Sequence, residues 1–84
     1  MSTLEDVKTI IADYLDINVA KLTESSNLRD DFGIDSLNFV ELVMELEEKF
    51  QIRISDEDVE HVETVGQLAA VVDRLLPANK RLQK

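Results

Sequence analysis

The sequence predicts an all-α fold: a four-helix bundle of three longer helices and a short third helix, with a long first loop. Three observations predict it. Apolar residues recur at helical spacing, potential helix caps precede these segments, and only residues 50–54 alternate apolar and polar side chains as a strand would. Because no second segment could pair with residues 50–54, we expect them to form an extended connection.

The first helix is predicted over residues 3–15. The segment from Ser2 to Glu5 has the pattern of a capping box, and apolar residues follow at helical spacing, namely Leu4, Val7, Ile11, Tyr14 and Leu15. The connection after this helix is about 20 residues long, lacks proline, and carries Ile17, Leu22, Leu28, Phe32 and Ile34. We therefore expect an ordered loop that packs on the core, not a flexible linker.

The second helix is predicted over residues 36–50, with Asp35 or Ser36 as its cap. A short third helix is indicated from Ser55, where a serine cap precedes three acidic residues in the first turn and Val59 and Val62 are expected to face inward. These acidic residues favour a helix N-terminus because they complement the helix dipole.

The fourth helix begins at a second potential capping box, Thr64 to Gln67, and ends before Pro77. We expect residues 1–77 to form a single domain. Residues 78–84 are basic and are expected to form a disordered tail.

Composition narrows the classes of function. The 84 residues carry a net charge of −9, and they include no cysteine and no tryptophan. A disulfide framework and a zinc-thiolate site are therefore excluded, and the acidity disfavours nucleic acid and anionic membranes as partners. The sequence also shows neither a secretory leader nor an apolar run of membrane-spanning length, so we expect a cytoplasmic location. We also expect a monomer.

The second helix has two apolar arcs. One arc contains Phe39, Leu42, Val43, Leu46 and Phe50 and is expected to face the core. The other, which we call the docking patch, contains Leu37, Val40 and Met44, and it is bordered by an acidic rim of Glu41, Glu47 and Glu48. Either both arcs are core and the glutamates are merely solvated, or the patch binds partners that present Arg and Lys around a hydrophobic recess.

Ser36 lies where a loop that contains Gly33 enters the second helix. A hydroxyl in the first turn of a helix is exposed, and a phosphate attached to it would face free backbone N–H groups and the positive end of the helix dipole. Gly33 is either a simple turn residue or a residue whose small size lets a partner approach Ser36. The docking patch begins one residue after Ser36, which favours the partner-binding interpretation of the patch.

The string from Gly33 to Leu42, Gly-Ile-Asp-Ser-Leu-Asn-Phe-Val-Glu-Leu, makes this short acidic chain resemble the acyl carrier protein family over nearly its whole length. The resemblance implies that Ser36 carries 4′-phosphopantetheine donated by coenzyme A through a phosphopantetheinyl transferase, and that Asp35 assists recognition by that enzyme. Acyl groups would be attached to the 4′-phosphopantetheine group as thioesters. Acyl-transferring and acyl-modifying enzymes with basic docking surfaces would contact the docking patch and the acidic rim, namely Leu37, Val40, Glu41, Met44, Glu47 and Glu48.

The resemblance also implies a non-catalytic carrier, in fatty acid biosynthesis or alternatively in a specialised pathway for polyketide, aminoacyl or unusual lipid units. A second alternative is an acidic helical interaction module without a cofactor. Two residues depart from the family pattern. Asn38 stands where an acidic residue is frequent, and Phe39 stands where a smaller residue is frequent, which implies a shallower or redirected acyl pocket and short or unusual cargo.

A metal site receives little support. Asp56, Asp58 and Glu60 alternate as in the opening of a calcium loop, but His61 replaces the required glycine and Gln67 the bidentate glutamate, which excludes an EF-hand. No dedicated metal site is predicted, and only loose divalent binding by these crowded carboxylates stays open.

Overall fold

A computed structural model describes residues 2–76 of the chain and shows three α-helices and two single turns of 3₁₀ helix. In chain order the elements are α1 (Thr3–Leu15), a 3₁₀ turn (Val19–Lys21), α2 (Ser36–Phe50), a second 3₁₀ turn (Glu57–Val59) and α3 (Val65–Leu75). The all-α class and the long first loop are therefore confirmed, as are the bounds of the first two predicted helices. The basic tail predicted at residues 78–84 lies outside the described residues.

The prediction of a short third α-helix is corrected by the structure, in which residues 57–59 form one 3₁₀ turn and not an α-helix. Ser55 still acts as a cap: the Asp58 N–H donates to Ser55 Oγ at 3.2 Å, and the Ser55 N–H donates to Asp58 Oδ2 at 3.0 Å. The backbone bonds through this turn join residues three apart, the 3₁₀ pattern, and so short an acidic segment cannot nucleate an α-helix by itself. Within residues 2–76 the bundle thus has three α-helices, with this turn in the place of the predicted third helix.

Helix α3 begins with the complete capping box that the sequence predicts, formed by Thr64 and Gln67. Helix α1 shows only half of its predicted box. Ser2 Oγ accepts the Glu5 N–H at 3.1 Å, whereas the Glu5 carboxylate lies 3.6 Å from Lys8 Nζ. Both helices nevertheless start at the residues indicated by their caps, because the side-chain acceptor satisfies a backbone N–H that the helix itself leaves free.

The core is aliphatic, and all three helices contribute to it. The side chains with the least exposure belong to Val7, Ile11, Leu42, Leu46, Val65, Leu68 and Val72. Three residues of the first loop, Leu22, Leu28 and Ile34, are each at most 3% exposed, which confirms that this loop packs on the core. Residues 52–54 have no regular secondary structure, as predicted, and Ile54 is buried.

The first loop is also attached to the start of α3 by backbone hydrogen bonds. Three backbone N–H groups donate to backbone carbonyls across this contact. The donor and acceptor residues are Leu28 and Glu63 at 2.9 Å, Val65 and Ser26 at 3.0 Å, and Gly66 and Glu24 at 2.8 Å. A Cβ atom at Gly66 would lie 2.5 Å from Glu24 Cγ, so glycine permits this close approach. The loop is therefore held at its middle, and its end delivers the chain to α2 in a defined place.

None of the helices within residues 2–76 is long and apolar enough to span a membrane.

Candidate functional site

Ser36 is the first residue of α2 and is exposed. The residue before it caps the helix: Asp35 Oδ1 accepts the Asn38 N–H at 2.9 Å, and the Asp35 carbonyl accepts the Phe39 N–H at 2.8 Å. Within residues 2–76, the N–H groups of Ser36 and Leu37 have no acceptor. The Ser36 hydroxyl is therefore presented beside two free donors at the positive end of a 15-residue helix, an environment suited to a phosphate ester.

The turn before Ser36 depends on Gly33, whose φ is +67°. Non-glycine residues adopt this left-handed conformation rarely, and an added Cβ would meet no atom within 4 Å. The Gly33 N–H donates to the Arg29 carbonyl at 2.9 Å, and the Ile34 N–H donates to the Leu28 carbonyl at 3.1 Å. Backbone conformation, not crowding, accounts for this glycine, which supports its role as a turn residue.

The docking patch lies on the surface. Leu37, Val40 and Met44 are 68%, 50% and 59% exposed, whereas Leu42 and Leu46 on the opposite arc are 0% exposed. The interpretation that both arcs are core is therefore wrong. The three exposed apolar side chains form a row that starts beside Ser36 and continues along α2.

The three glutamates of the acidic rim are not equivalent. Glu41 and Glu48 are exposed, whereas Glu47 is half-buried and its Oε2 accepts the Ile54 N–H at 2.7 Å. Glu47 thereby attaches the extended segment after α2 to the helix. The sequence analysis did not identify this structural role. Because Glu41 and Glu48 are more exposed than Glu47, they are the rim residues most accessible to another molecule.

Arg53 is a further residue that the sequence analysis did not assign to the site. It is exposed and lines a groove together with Met44, Glu48 and Ile52, next to the docking patch. Its signal in the sequence was its charge, because Lys49 and Arg53 are the only basic residues within residues 30–63. The groove is therefore lined by acidic and apolar side chains and by one basic side chain, that of Arg53.

Tyr14 of α1 reaches the same surface. Its hydroxyl donates to Glu41 Oε1 at 2.6 Å, and Asn38 Nδ2 donates to Tyr14 Oη at 3.2 Å. The hydrogen bond to the Glu41 carboxylate is the main cause that raises the pKa of Tyr14, while the bond from Asn38 acts in the opposite direction. Helical spacing grouped Tyr14 with the apolar residues of α1, and no local pattern could show a partner 27 residues away.

The acidic turn at residues 56–60 does not assemble a metal site. The Asp58 carboxylate accepts hydrogen bonds from Ser55 and from Arg74 Nη2, the latter at 3.2 Å. The bond from the Ser55 N–H is the largest cause that lowers the pKa of Asp58, followed by the Ser55 hydroxyl and Arg74. Residues 2–76 contain no group of three metal-ligating side chains, so loose divalent binding at Asp56, Asp58 and Glu60 has no structural support.

Comparison with protein families places residues 5–72 of the chain in the family described as phosphopantetheine attachment site. Among characterised proteins, the chain is 41% identical over 73 residues to the acyl carrier protein of Wolinella succinogenes, an alignment that covers 87% of this chain and 96% of that protein. The matched region includes Ser36, the docking patch and the acidic rim.

Solved structures agree with this match. The solution structure of holo acyl carrier protein from Geobacter metallireducens superposes with a TM-score of 0.77 at 28% identity, covering 89% of this chain and 86% of that chain. The acyl carrier protein of Enterococcus faecalis superposes with a TM-score of 0.68 at 39% identity, covering 86% and 95% of the two chains. Both alignments span most of each chain, so the likeness concerns the whole fold and not one shared motif.

Proposed function

This chain belongs to the acyl carrier protein family, and we propose that Ser36 is the residue that bears its 4′-phosphopantetheine group. Members of this family are carriers and not catalysts, and 4′-phosphopantetheine is their prosthetic group. When bound, the group supplies a terminal thiol that holds acyl chains as thioesters. The single observation that carries the assignment is the exposed Ser36 hydroxyl in the first turn of α2, beside free N–H groups.

The residues around Ser36 fit a phosphodiester. In the transfer from coenzyme A, Ser36 Oγ forms the new bond to phosphorus and loses its proton, the P–O bond of the pyrophosphate breaks, and 3′,5′-ADP leaves. Asp35 caps α2 and so holds the hydroxyl at the helix start, and we propose that the phosphopantetheinyl transferase also recognises this carboxylate. The N–H groups of Ser36 and Leu37 are the donors that would contact the attached phosphate.

We further propose that partner enzymes bind the docking patch and the exposed part of the acidic rim. The support is the exposure of Leu37, Val40 and Met44 next to Ser36, together with the exposed carboxylates of Glu41 and Glu48. Rim charges accelerate encounter with a basic surface and fix its orientation, while the apolar row supplies area to bury. A partner docked there would stand within reach of whatever Ser36 carries.

Fatty acid biosynthesis is the pathway that we propose. The specialised carrier is retained as a second candidate because of Phe39, which is half-buried beside a groove of about 270 Å³ also lined by Leu28, Ile34 and His61. A phenyl ring there favours short or unusual acyl chains. Organisation of residues 1–77 as one monomeric domain and a cytoplasmic location stay predictions from the sequence.

Intact-mass spectrometry after incubation with coenzyme A, Mg²⁺ and a phosphopantetheinyl transferase tests the assignment of Ser36. We expect the wild-type chain to gain the mass of one phosphopantetheinyl group and Ser36→Ala to gain none. Ser25→Ala is the matched control, because Ser25 is also an exposed serine but lies in the first loop, and it should gain the full mass.

An unmodified wild-type chain would contradict the proposal and favour an interaction module without a cofactor, whereas a modified Ser36→Ala variant would show that another residue bears the group. The same measurement on protein purified from its own cells identifies the acyl group. A saturated fatty acyl chain supports fatty acid biosynthesis, whereas an aminoacyl or polyketide unit supports the specialised carrier.

A further inference from the structure

We infer that Tyr14 is a positioning residue for partner docking: its hydroxyl holds the Glu41 carboxylate in place on the acidic rim, and Asn38 directs that hydrogen bond. The partner-binding surface would then include a residue of α1 as well as α2. This inference rests on the proposed docking function of the α2 surface, and it concerns two residues, Tyr14 and Asn38, to which the family comparison assigns no role.

The direction of the hydrogen bonds carries the inference. A phenol has one proton to donate and lone pairs to accept with, whereas the amide nitrogen of asparagine can only donate. Since Asn38 Nδ2 donates to Tyr14 Oη at 3.2 Å, the phenol is left to donate its own proton to Glu41 Oε1. The 2.6 Å separation from that oxygen is in the range of a charge-assisted hydrogen bond.

The same chemistry explains why an amide suits position 38. An aspartate at this position could not donate to the phenol, and its carboxylate would compete with Glu41 for the single phenolic proton. It would also place a second negative charge beside Glu41. Asn38 therefore matches Tyr14 as a hydrogen-bond partner.

Holding Glu41 affects docking because a free glutamate samples several rotamers. A partner cation that binds a free carboxylate must first order that side chain, whereas a carboxylate already held by Tyr14 is ordered before the partner arrives. Glu48, on the same rim, has no such partner among residues 2–76. The two glutamates thus form an internal comparison between a positioned and a free carboxylate.

The contact itself can be tested without any partner. Tyr14 is the only tyrosine and the chain has no tryptophan, so the ultraviolet absorbance of tyrosinate reports this residue alone. We expect Glu41→Gln to lower the pKa of Tyr14 toward the ordinary value of about 10, Asn38→Asp to raise it further, and Glu48→Gln to leave it unchanged. Unchanged titration in Glu41→Gln would overturn the inference irrespective of any result on docking.

The role in docking is tested with the phosphopantetheinyl transferase and coenzyme A, by measuring KM for the carrier and kcat. Tyr14→Phe keeps the ring that packs on the core and removes only the hydroxyl. We expect it to raise KM about threefold to tenfold with little change in kcat, the size of one hydrogen bond to a charged group at an exposed site. Circular dichroism and thermal unfolding confirm that the variant is folded.

A double-mutant cycle separates positioning from a general structural effect. Tyr14→Phe should raise KM no further in a Glu41→Gln background, but should have its full effect in a Glu48→Gln background. Equal effects in both backgrounds would overturn the inference. A KM raised by Glu41→Gln but not by Tyr14→Phe would overturn it while leaving docking on α2 intact, whereas no effect of Glu41→Gln or of Glu48→Gln would contradict the docking proposal itself.

Discussion

The two apolar faces of α2 carry similar side chains but differ in their exposure to solvent. Leu42 and Leu46 are 0% exposed and lie in the core, whereas Leu37 and Met44 are 68% and 59% exposed on the opposite arc. Burying one such side chain stabilises a fold by about 1.5 to 3 kcal/mol, a contribution that the exposed face does not make within this chain. The core face of α2 therefore contributes stability and its exposed face contains the proposed docking surface, so substitutions on the two faces should affect different properties.

The largest expected effect compares one residue from each face. Leu46→Ala should lower the free energy of unfolding by about 2 to 5 kcal/mol, because it removes a fully buried side chain and leaves a cavity. Met44→Ala should change this free energy by no more than about 0.5 kcal/mol, because Met44 lies mostly in solvent. Urea unfolding followed by circular dichroism measures both values.

The same pair should reverse its order in docking. Met44→Ala should raise the KM of the transferase for the carrier, whereas Leu46→Ala, assayed under conditions where it is folded, should leave that KM near the wild-type value. Loss of stability in Met44→Ala comparable with that of Leu46→Ala would show that the exposed face also supports the fold, and the separation of the two faces would be wrong.

Phe39 tests the boundary between the faces, since it lies at the start of α2 and is half-buried against the core. Phe39→Thr should destabilise the protein by about 2 to 4 kcal/mol and enlarge the groove that Phe39 lines together with Leu28, Ile34 and His61. We expect longer acyl chains on the variant to resist hydrolysis of their thioesters better than on wild type, measured across a series of chain lengths. Protection that does not vary with chain length in either protein would contradict the pocket-filling role.

Helical spacing was sufficient to predict the two faces of α2, because position around the axis follows directly from residue number. It could not supply contacts that depend on how separate elements meet. The bond between Tyr14 and Glu41 joins α1 to α2, and the bond from Ile54 to Glu47 depends on the path of the extended segment. Both required the packed structure, and both changed the interpretation of a rim glutamate.

The predicted third helix shows a second limit of prediction from the sequence: the cap was identified correctly, but the helix predicted after it does not form. Ser55 is a cap, as its sequence context indicates, and it closes a turn with Asp58. A cap cannot by itself propagate a helix, because nucleation is unfavourable and a short acidic segment has little apolar surface to bury. The start of the element was therefore predictable, whereas its length and type were decided by the absence of a long apolar stripe.

The smallest expected effect concerns charge on the exposed face. Glu48→Lys should raise the KM of the transferase about twofold to tenfold and make it less dependent on ionic strength, because a rim carboxylate contributes to encounter mainly through screened electrostatics. Asp73→Lys makes the same change in net charge on α3, where the carboxylate accepts a hydrogen bond from Thr3 and lies outside the docking patch and rim. If both variants shift KM and its salt dependence equally, the partner responds to total charge and not to the rim. If only Glu48→Lys does so, recognition is local to the exposed face of α2, and the contrast between its two faces extends from apolar contacts to charge.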